Sequence, residues 1–334
     1  MRDVIVPLAI DEALPPGGST LFKADGRAMG TGWSARMMLP PGADGAALER
    51  ALQAELDEIV AQMSHWDDAS LLARYNRAPA GSWHALPPQF YEVAEYALQV
   101  AQDSGGAYDP AAGELVTLWG FGPSARYDQN GFRTPDALTI GALLARRSER
   151  QPLLDRVNRR LLQPGGATLD FSSVAKGYAV DRMAACLEAR SVRHFVVEAG
   201  GELRGAGVKD NGEPWWVEIE SVPDGQARQA VVALHGLAIA TSGDYRQYFE
   251  HDAQRASHTL DPRSGQPVAN NVASVTVLAA TCMAADALST TLTVLGPQDG
   301  LAFADARGIA ARFLVRAADG LRESVSAAWS RMQQ

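Results

Sequence analysis

Asp286 and Thr290 stand four residues apart in AATCMAADALSTTLTVLG, the stretch from Ala279 to Gly296. On a helix that spacing puts both oxygens on one face. A carboxylate beside a hydroxyl is a pair of hard ligands, suited to Mg²⁺ that is held partly by substrate phosphate. The same two residues also suit an ordinary buried helix. Asp286 then answers the dipole near the N-terminus, and Thr290 bonds back to its own backbone. Both readings stand on this stretch alone.

Other chemistry-bearing residues are spread along the chain. His258 lies in Ser257-His258-Thr259-Leu260-Asp261-Pro262, just before a turn. Its ordinary pKa, near ~6.5, lets it take a proton from a hydroxyl at neutral pH, and a backbone-bonded structural histidine is equally consistent. His65, His84, His194, His235 and His251 show no metal-ligand spacing. Four glycine-bearing segments recur beside polar residues: MGT at 29–31, AKG at 175–177, GGE at 200–202 and TSGDY at 241–245. Glycine lets backbone approach a ligand closely, and adjacent N–H groups make an anion nest. Taken singly, each is also an ordinary turn. Lys176 opens a helix and can join its N-terminal amides in holding phosphate.

The elements that position these residues follow from periodicity. Apolar residues at helical spacing predict helices over 45–63, through Leu48, Leu52, Leu56 and Ile59, and over 87–103, through Phe90, Val93 and Ala97. A short surface helix is expected over 136–147. A strand pair surrounds Met29-Gly30-Thr31. TLDFSSVAKGYAVDRMAACLEAR reads as strand, small-residue turn and helix. HFVVEAGG, WWVEIE, QAVVALH, LAIATS and SVTVLAA read as strands. Gly296-Pro297 ends the helix that carries Asp286, and a further helix at 297–306 and the strand RFLVRA follow. Hairpin-spaced strands mixed with single helices give an α+β fold with mostly antiparallel sheet. Gly120 to Ala125 fits G-x-G-x-x-A, but Pro123 interrupts it and no strand–helix unit surrounds it, so it is discounted as a dinucleotide fingerprint.

The 334 residues carry a net charge of −9, with 46% hydrophobic and 21% charged residues. That is a globular profile. The acidic balance argues against nucleic acid as the main partner. No apolar run reaches membrane-spanning length. Residues 1–20 read as an irregular arm ending in Pro15-Pro16-Gly17-Gly18, with neither a signal peptide nor a lipidation cysteine. As given, the chain reads as cytoplasmic. A leader removed beforehand would place it in the periplasm instead. Cys186 and Cys282, the only two cysteines, have apolar neighbours and read as buried thiols.

Taken in order, MGT, SHWDDASLLARYN, GAYDPAAGELVTLWGFG, LDFSSVAKGYAVD, EAGGELRGAG, IATSGDYRQYF, SHTLDPRSGQPV and AADALSTTL resemble the segments of the ApbE family of flavin transferases, from about Met29 to about Ala304. The resemblance implies an ApbE-type α+β domain over 21–334, as one body or as two packed subdomains. It implies FAD as substrate, Mg²⁺ as cofactor, and FMN transfer to a Thr or Ser hydroxyl of a partner flavoprotein with release of AMP. By its motifs, Asp286, Thr290 and the Ala175 carbonyl would hold the metal, and His258 would be the base. Met29, Asp170, Lys176, Asp181, Ser242, Gly243 and Asp244 would line the flavin nucleotide site, and Trp119 would either pack near the flavin or belong to the core. This chain departs from the pattern at Glu198 and Glu202, where Asn and Asp are usual, and at Ser172-Ser173, where a Gly pair is usual. A branch of the family hydrolyses FAD instead. Transfer, FAD pyrophosphatase activity and non-catalytic flavin binding all remain open on these motifs.

Overall fold

The computed structural model describes residues 2–10, 13–223, 227–251 and 254–334. The chain divides into two compact units. Unit 1 holds 1–58, 174–243 and 271–334, and unit 2 holds 59–173 and 244–270.

In chain order, β1 (Asp3–Ile5), β2 (Thr20–Ala28), β3 (Thr31–Leu39) and α1 (Gly45–Met63) come first. Next are α2 (Leu71–Asn76), β4 (Ser82–Ala85), α3 (Pro88–Asp103), α4 (Gly113–Leu118), α5 (Ala137–Ser148), β5 (Leu153–Asp155) and β6 (Arg160–Gln163). Then α6 (Ala175–Ala189), β7 (Phe195–Ala199), β8 (Glu202–Ala206), β9 (Trp215–Glu218), β10 (Ala230–Leu234) and β11 (Leu237–Gly243) return to unit 1. After them come β12 (Tyr248–His251), β13 (Gln254–Ser257), β14 (Leu260–Asp261) and β15 (Gln266–Pro267). The last elements are β16 (Val272–Ala279), α7 (Cys282–Arg307), β17 (Ala310–Ala317), β18 (Gly320–Val325) and α8 (Ala327–Ser330).

Unit 1 is built on an eight-stranded sheet of order β18-β17-β16-β11-β8-β7-β3-β2. Every neighbouring pair in it is antiparallel. Side-chain alternation splits the residues of its central strands between two cores. Ala240, Val275, Val277, Ala311 and Phe313 pack with Ala285 and Leu292 of α7. Their neighbours Ile239, Leu278 and Ala310 point the other way and pack with Trp215, Val232 and Leu234 of the small β1-β10-β9 sheet and with Trp329 of α8. A strand covered on both faces has no polar side, so SVTVLAA is apolar almost throughout. Among the described residues, the expected irregular arm contains a strand: Asp3–Ile5 pairs in parallel with β10, and Ile5 is fully buried.

The β2–β3 hairpin turns on two residues, with Ala28 opposite Thr31. Met29 and Gly30 both have positive φ, 51° and 74°, the primed turn that matches strand twist. α7 breaks where Gly296-Pro297 predicts, at Gly296 with φ 80°.

Among the described residues, unit 2 carries the helices α2 to α5 and three small sheets. Ser70 Oγ accepts from Ala73 N at the start of α2, and Asp136 Oδ1 accepts from Thr139 N at the start of α5. α5 is not purely a surface helix, since Ile140, Leu143 and Arg147 are buried. Thr168 to Phe171 is not a strand; Thr168 makes only an isolated bridge with Ala112. The segment is held by backbone bonds from Asp170 N to the Pro110 carbonyl and from Gly113 N to the Thr168 carbonyl, and by a side chain: Asn76 Nδ2 donates to the Leu169 carbonyl and Asn76 Oδ1 accepts from Leu169 N.

Candidate functional site

In unit 1, α6 and α7 cap each other. The first turn of a helix has N–H groups with no partner inside it. At the start of α6, Gly177 N–H donates to Asp286 Oδ2 at 2.9 Å. At the start of α7, Cys282 and Met283 N–H donate to Asp181 Oδ1 and Oδ2 at 2.9 and 2.8 Å. Arg204 of β8 steadies the second cap, with Nη1 2.7 Å from Asp181 Oδ1. The helices meet where Gly177 lacks a side chain. A Cβ there would stand 2.3 Å from the Cys282 carbonyl oxygen and 2.7 Å from Asp286 Cβ.

Asp286 is 4% exposed. Burial pushes its carboxyl up to about 7; Lys176 opposes the rise, and Glu202 and Asp181 add to it. Lys176 is ion-paired with Glu202 Oε1, and Glu202 Oε2 is buried without a hydrogen-bond partner. Gly200 and Gly201, with φ of 65° and 101°, place Glu202 at the start of β8. Across β11, Ser242 Oγ lies 2.8 Å from Ser289 Oγ and 3.0 Å from Thr290 Oγ1. The structure therefore joins Thr290 to β11. Back-bonding to the helix is the habit of its neighbours instead: Thr291 and Thr293 donate to the Ala287 and Ser289 carbonyls. Ala175 opens α6, and Met29 sits in the hairpin turn.

Among the described residues, no group of three His, Cys, Asp or Glu stands ready for a metal. The hard oxygens here are the buried Asp286 carboxylate, whose Oδ2 already accepts from Gly177 N–H, and the Thr290 hydroxyl one turn on along α7, which meets Ser242 of β11. One charge with neutral oxygens fits a hard divalent cation whose other positions go to water and phosphate. Cys282 is no soft competitor, because burial holds its thiol well above its usual range.

In unit 2, His258 Nδ1 lies 3.0 Å from the Gln247 carbonyl. A carbonyl only accepts, so in the neutral ring Nδ1 carries the proton and Nε2 the lone pair. Asp170 caps its own turn through Ser172 N at 2.8 Å and faces His65 Nδ1 at 3.7 Å. Asp244 meets Arg255 at 3.5 Å. Trp119 is 3% exposed and donates to the Gly265 carbonyl at 2.8 Å. Its ring is part of a core with Leu115, Phe121 and Leu260, the second of the two placements expected for it. Sequence reasoning passed over Trp66, which follows His65 and is 55% exposed with the Arg126 guanidinium 5.5 Å from its ring centre. An exposed indole is a stacking surface, and only its place in a polar turn hinted at that.

The ApbE family profile matches residues 29–313. The chain belongs to the ApbE family. The match encloses all the candidate residues, from Met29 to Thr290. Among ApbE relatives, the FAD:protein FMN transferase of Klebsiella pneumoniae (strain 342) is 35% identical over 95% of this chain and 91% of its own length. That of Vibrio cholerae serotype O1 is 37% identical over 91% of this chain and 90% of its own. The apo crystal structure of Pseudomonas stutzeri flavinyl transferase ApbE superposes with a TM-score of 0.86 at 37% identity, covering 94% of this chain and 97% of that one. The flavin transferase ApbE from Vibrio cholerae gives 0.85 at 33% identity, covering 94% and 99%.

Proposed function

We propose that this chain is an FAD:protein FMN transferase that uses Mg²⁺ and modifies a Thr or Ser hydroxyl of a partner flavoprotein. The observation that carries the reading is the match to FAD:protein FMN transferases over nine-tenths or more of both chains. The buried Asp286 carboxylate with the Thr290 hydroxyl one turn on along α7 supports the metal, and the fixed tautomer of His258 supports the base.

In the reaction, the acceptor oxygen attacks the FMN phosphorus of FAD. A new P–O bond forms, the bond to the bridging oxygen breaks, and AMP leaves with that oxygen. His258 Nε2 takes the hydroxyl proton, which a weak nucleophile must lose as it attacks. Asp286 and Thr290, with the Ala175 carbonyl, would hold Mg²⁺, which when bound would polarise the phosphorus and offset charge on the leaving phosphate. Lys176 places an ammonium beside the α6 amides, where an anionic pyrophosphate is favoured. Met29, Asp170, Ser242, Gly243 and Asp244 belong to segments that line the nucleotide. Asp181 serves the site through the α7 cap.

The test is incubation of the purified chain with FAD, Mg²⁺ and a candidate acceptor, read by mass spectrometry of the acceptor and by AMP release. The expected result is one FMN per acceptor, with AMP formed in step. Rapid FMN and AMP formation without any acceptor assigns the site to hydrolysis. Intact FAD after prolonged incubation with a competent acceptor removes the enzymatic reading.

A further inference from the structure

Three hydroxyls in unit 1 form a chain with one direction. Ser289 Oγ donates to the Asp286 carbonyl, one turn back on α7, at 2.9 Å. A carbonyl only accepts, so the Ser289 proton is committed. Ser242 Oγ lies 2.8 Å from Ser289 Oγ, and Ser242 must be the donor there. The proton of Ser242 is then spent as well. In the remaining contact, 3.0 Å between Ser242 Oγ and Thr290 Oγ1, Thr290 is therefore the donor.

We infer that Ser242 and Ser289 are positioning residues that fix the polarity of the Thr290 hydroxyl, so that it offers lone pairs rather than its proton to a divalent cation. A hydroxyl free to rotate presents a proton to the cation in part of its ensemble, and that orientation is repulsive. The relay from Thr290 through Ser242 and Ser289 to a helix carbonyl removes it. Ser289 is 1% exposed, so no solvent competes for its proton. A serine inside a helix is otherwise unremarkable, because back-bonding to the preceding turn is its usual outlet. What distinguishes this one is the second contact, from β11.

The inference rests on the proposed metal role of Asp286 and Thr290, and its test separates the two. Mn²⁺ alone is titrated into the purified full chain, and free Mn²⁺ is read by electron paramagnetic resonance, with circular dichroism as the fold control. Ser289→Ala is nearly isosteric and is expected to weaken Mn²⁺ binding about tenfold, as loss of an outer-sphere partner does. Ser242→Ala should do the same by removing the acceptor of the Thr290 proton. In a Thr290→Val background there is no hydroxyl to orient, so Ser289→Ala should add nothing. Equal weakening by Ser289→Ala with and without Thr290 overturns the relay, as does unchanged affinity in both serine variants, while loss of binding in Asp286→Asn keeps the metal reading. Unchanged affinity in Asp286→Asn overturns both.

Discussion

Replacing Gly177 by alanine sets two rules of opposite sign against each other. Within a helix, Gly→Ala adds about 0.5–1 kcal/mol of stability, because glycine loses more backbone freedom on folding. At Gly177 the new Cβ would fall 2.3 Å from the Cys282 carbonyl oxygen and 2.6 Å from its carbon. Backbone atoms of a helix start cannot swing aside as a flexible side chain can. Overpacking of this kind costs about 1–3 kcal/mol. Parting the helices also stretches the bond from Gly177 N–H to the buried Asp286 carboxylate, worth about 1.5–3 kcal/mol for a charged acceptor. The net expectation is a loss of about 2–5 kcal/mol. Gly141 in α5 is the control, since a Cβ there meets nothing within 4 Å. Gly141→Ala should raise the melting temperature and Gly177→Ala should lower it, both by scanning calorimetry. Mn²⁺ binding should weaken only in Gly177→Ala. A Gly177→Ala variant as stable as wild type, or more so, would refute the close crossing of α6 and α7.

Three further outcomes follow from the same geometry. Burial raises Asp286 from 3.8 to about 7, so its contribution to metal-free stability is fully present below pH ~4 and is lost as pH rises through about 7; urea midpoints in EDTA should fall between pH 5 and 8 in wild type, less so in Asp286→Asn, and equal falls would count against it. Met29 holds a left-handed φ of 51°, which costs a side-chain-bearing residue about 1–2 kcal/mol, so Met29→Gly should raise the melting temperature while weakening FAD binding if its side chain lies on the flavin; an unchanged melt would deny the strain. His258→Ala should slow FMN transfer by ~10²–10⁴-fold and leave Mn²⁺ binding intact, whereas transfer at the wild-type rate would remove it as the base.

What the sequence could reveal depended on period and on local signals. The 45–63 and 87–103 helices showed in the apolar spacing, and the break in the last long helix showed at Gly296-Pro297. Strand Asp3–Ile5 did not show, because three residues are too few to display a period and it is stabilised by pairing with a strand more than two hundred residues away. β4, β5, β6 and β18 were missed too; they are short or only half-buried. In the site, Asp286 and Thr290 were readable because helical spacing alone puts them on one face. Asp181 looked like part of a nucleotide-lining motif, yet its carboxylate is taken up by two amides of another helix and by Arg204. Ser289 gave no signal, since the partner that makes it notable, Ser242, lies on a different element. Trp119 could be placed in either role from its glycine-rich surroundings, and its burial with Leu115 and Phe121 puts it in the core.

The order of segments in unit 1 bears on how the chain is made. Ser34 of β3 meets Glu198 of β7 across 164 residues of chain. At synthesis rates of about 5–20 residues per second, the β2–β3 hairpin therefore waits roughly 10–30 seconds for its neighbour. During that wait the hairpin presents an open edge carrying Trp33, Met37 and Leu39, and β16 to β18, the far side of the same sheet, emerge later still. Unit 2 is likewise incomplete until 244–270 appear. Unit 2 has all its residues only at 270, and unit 1 still needs 271–334, so the nascent chain carries unpaired strand edges through most of its synthesis, and this is where a holding chaperone would act.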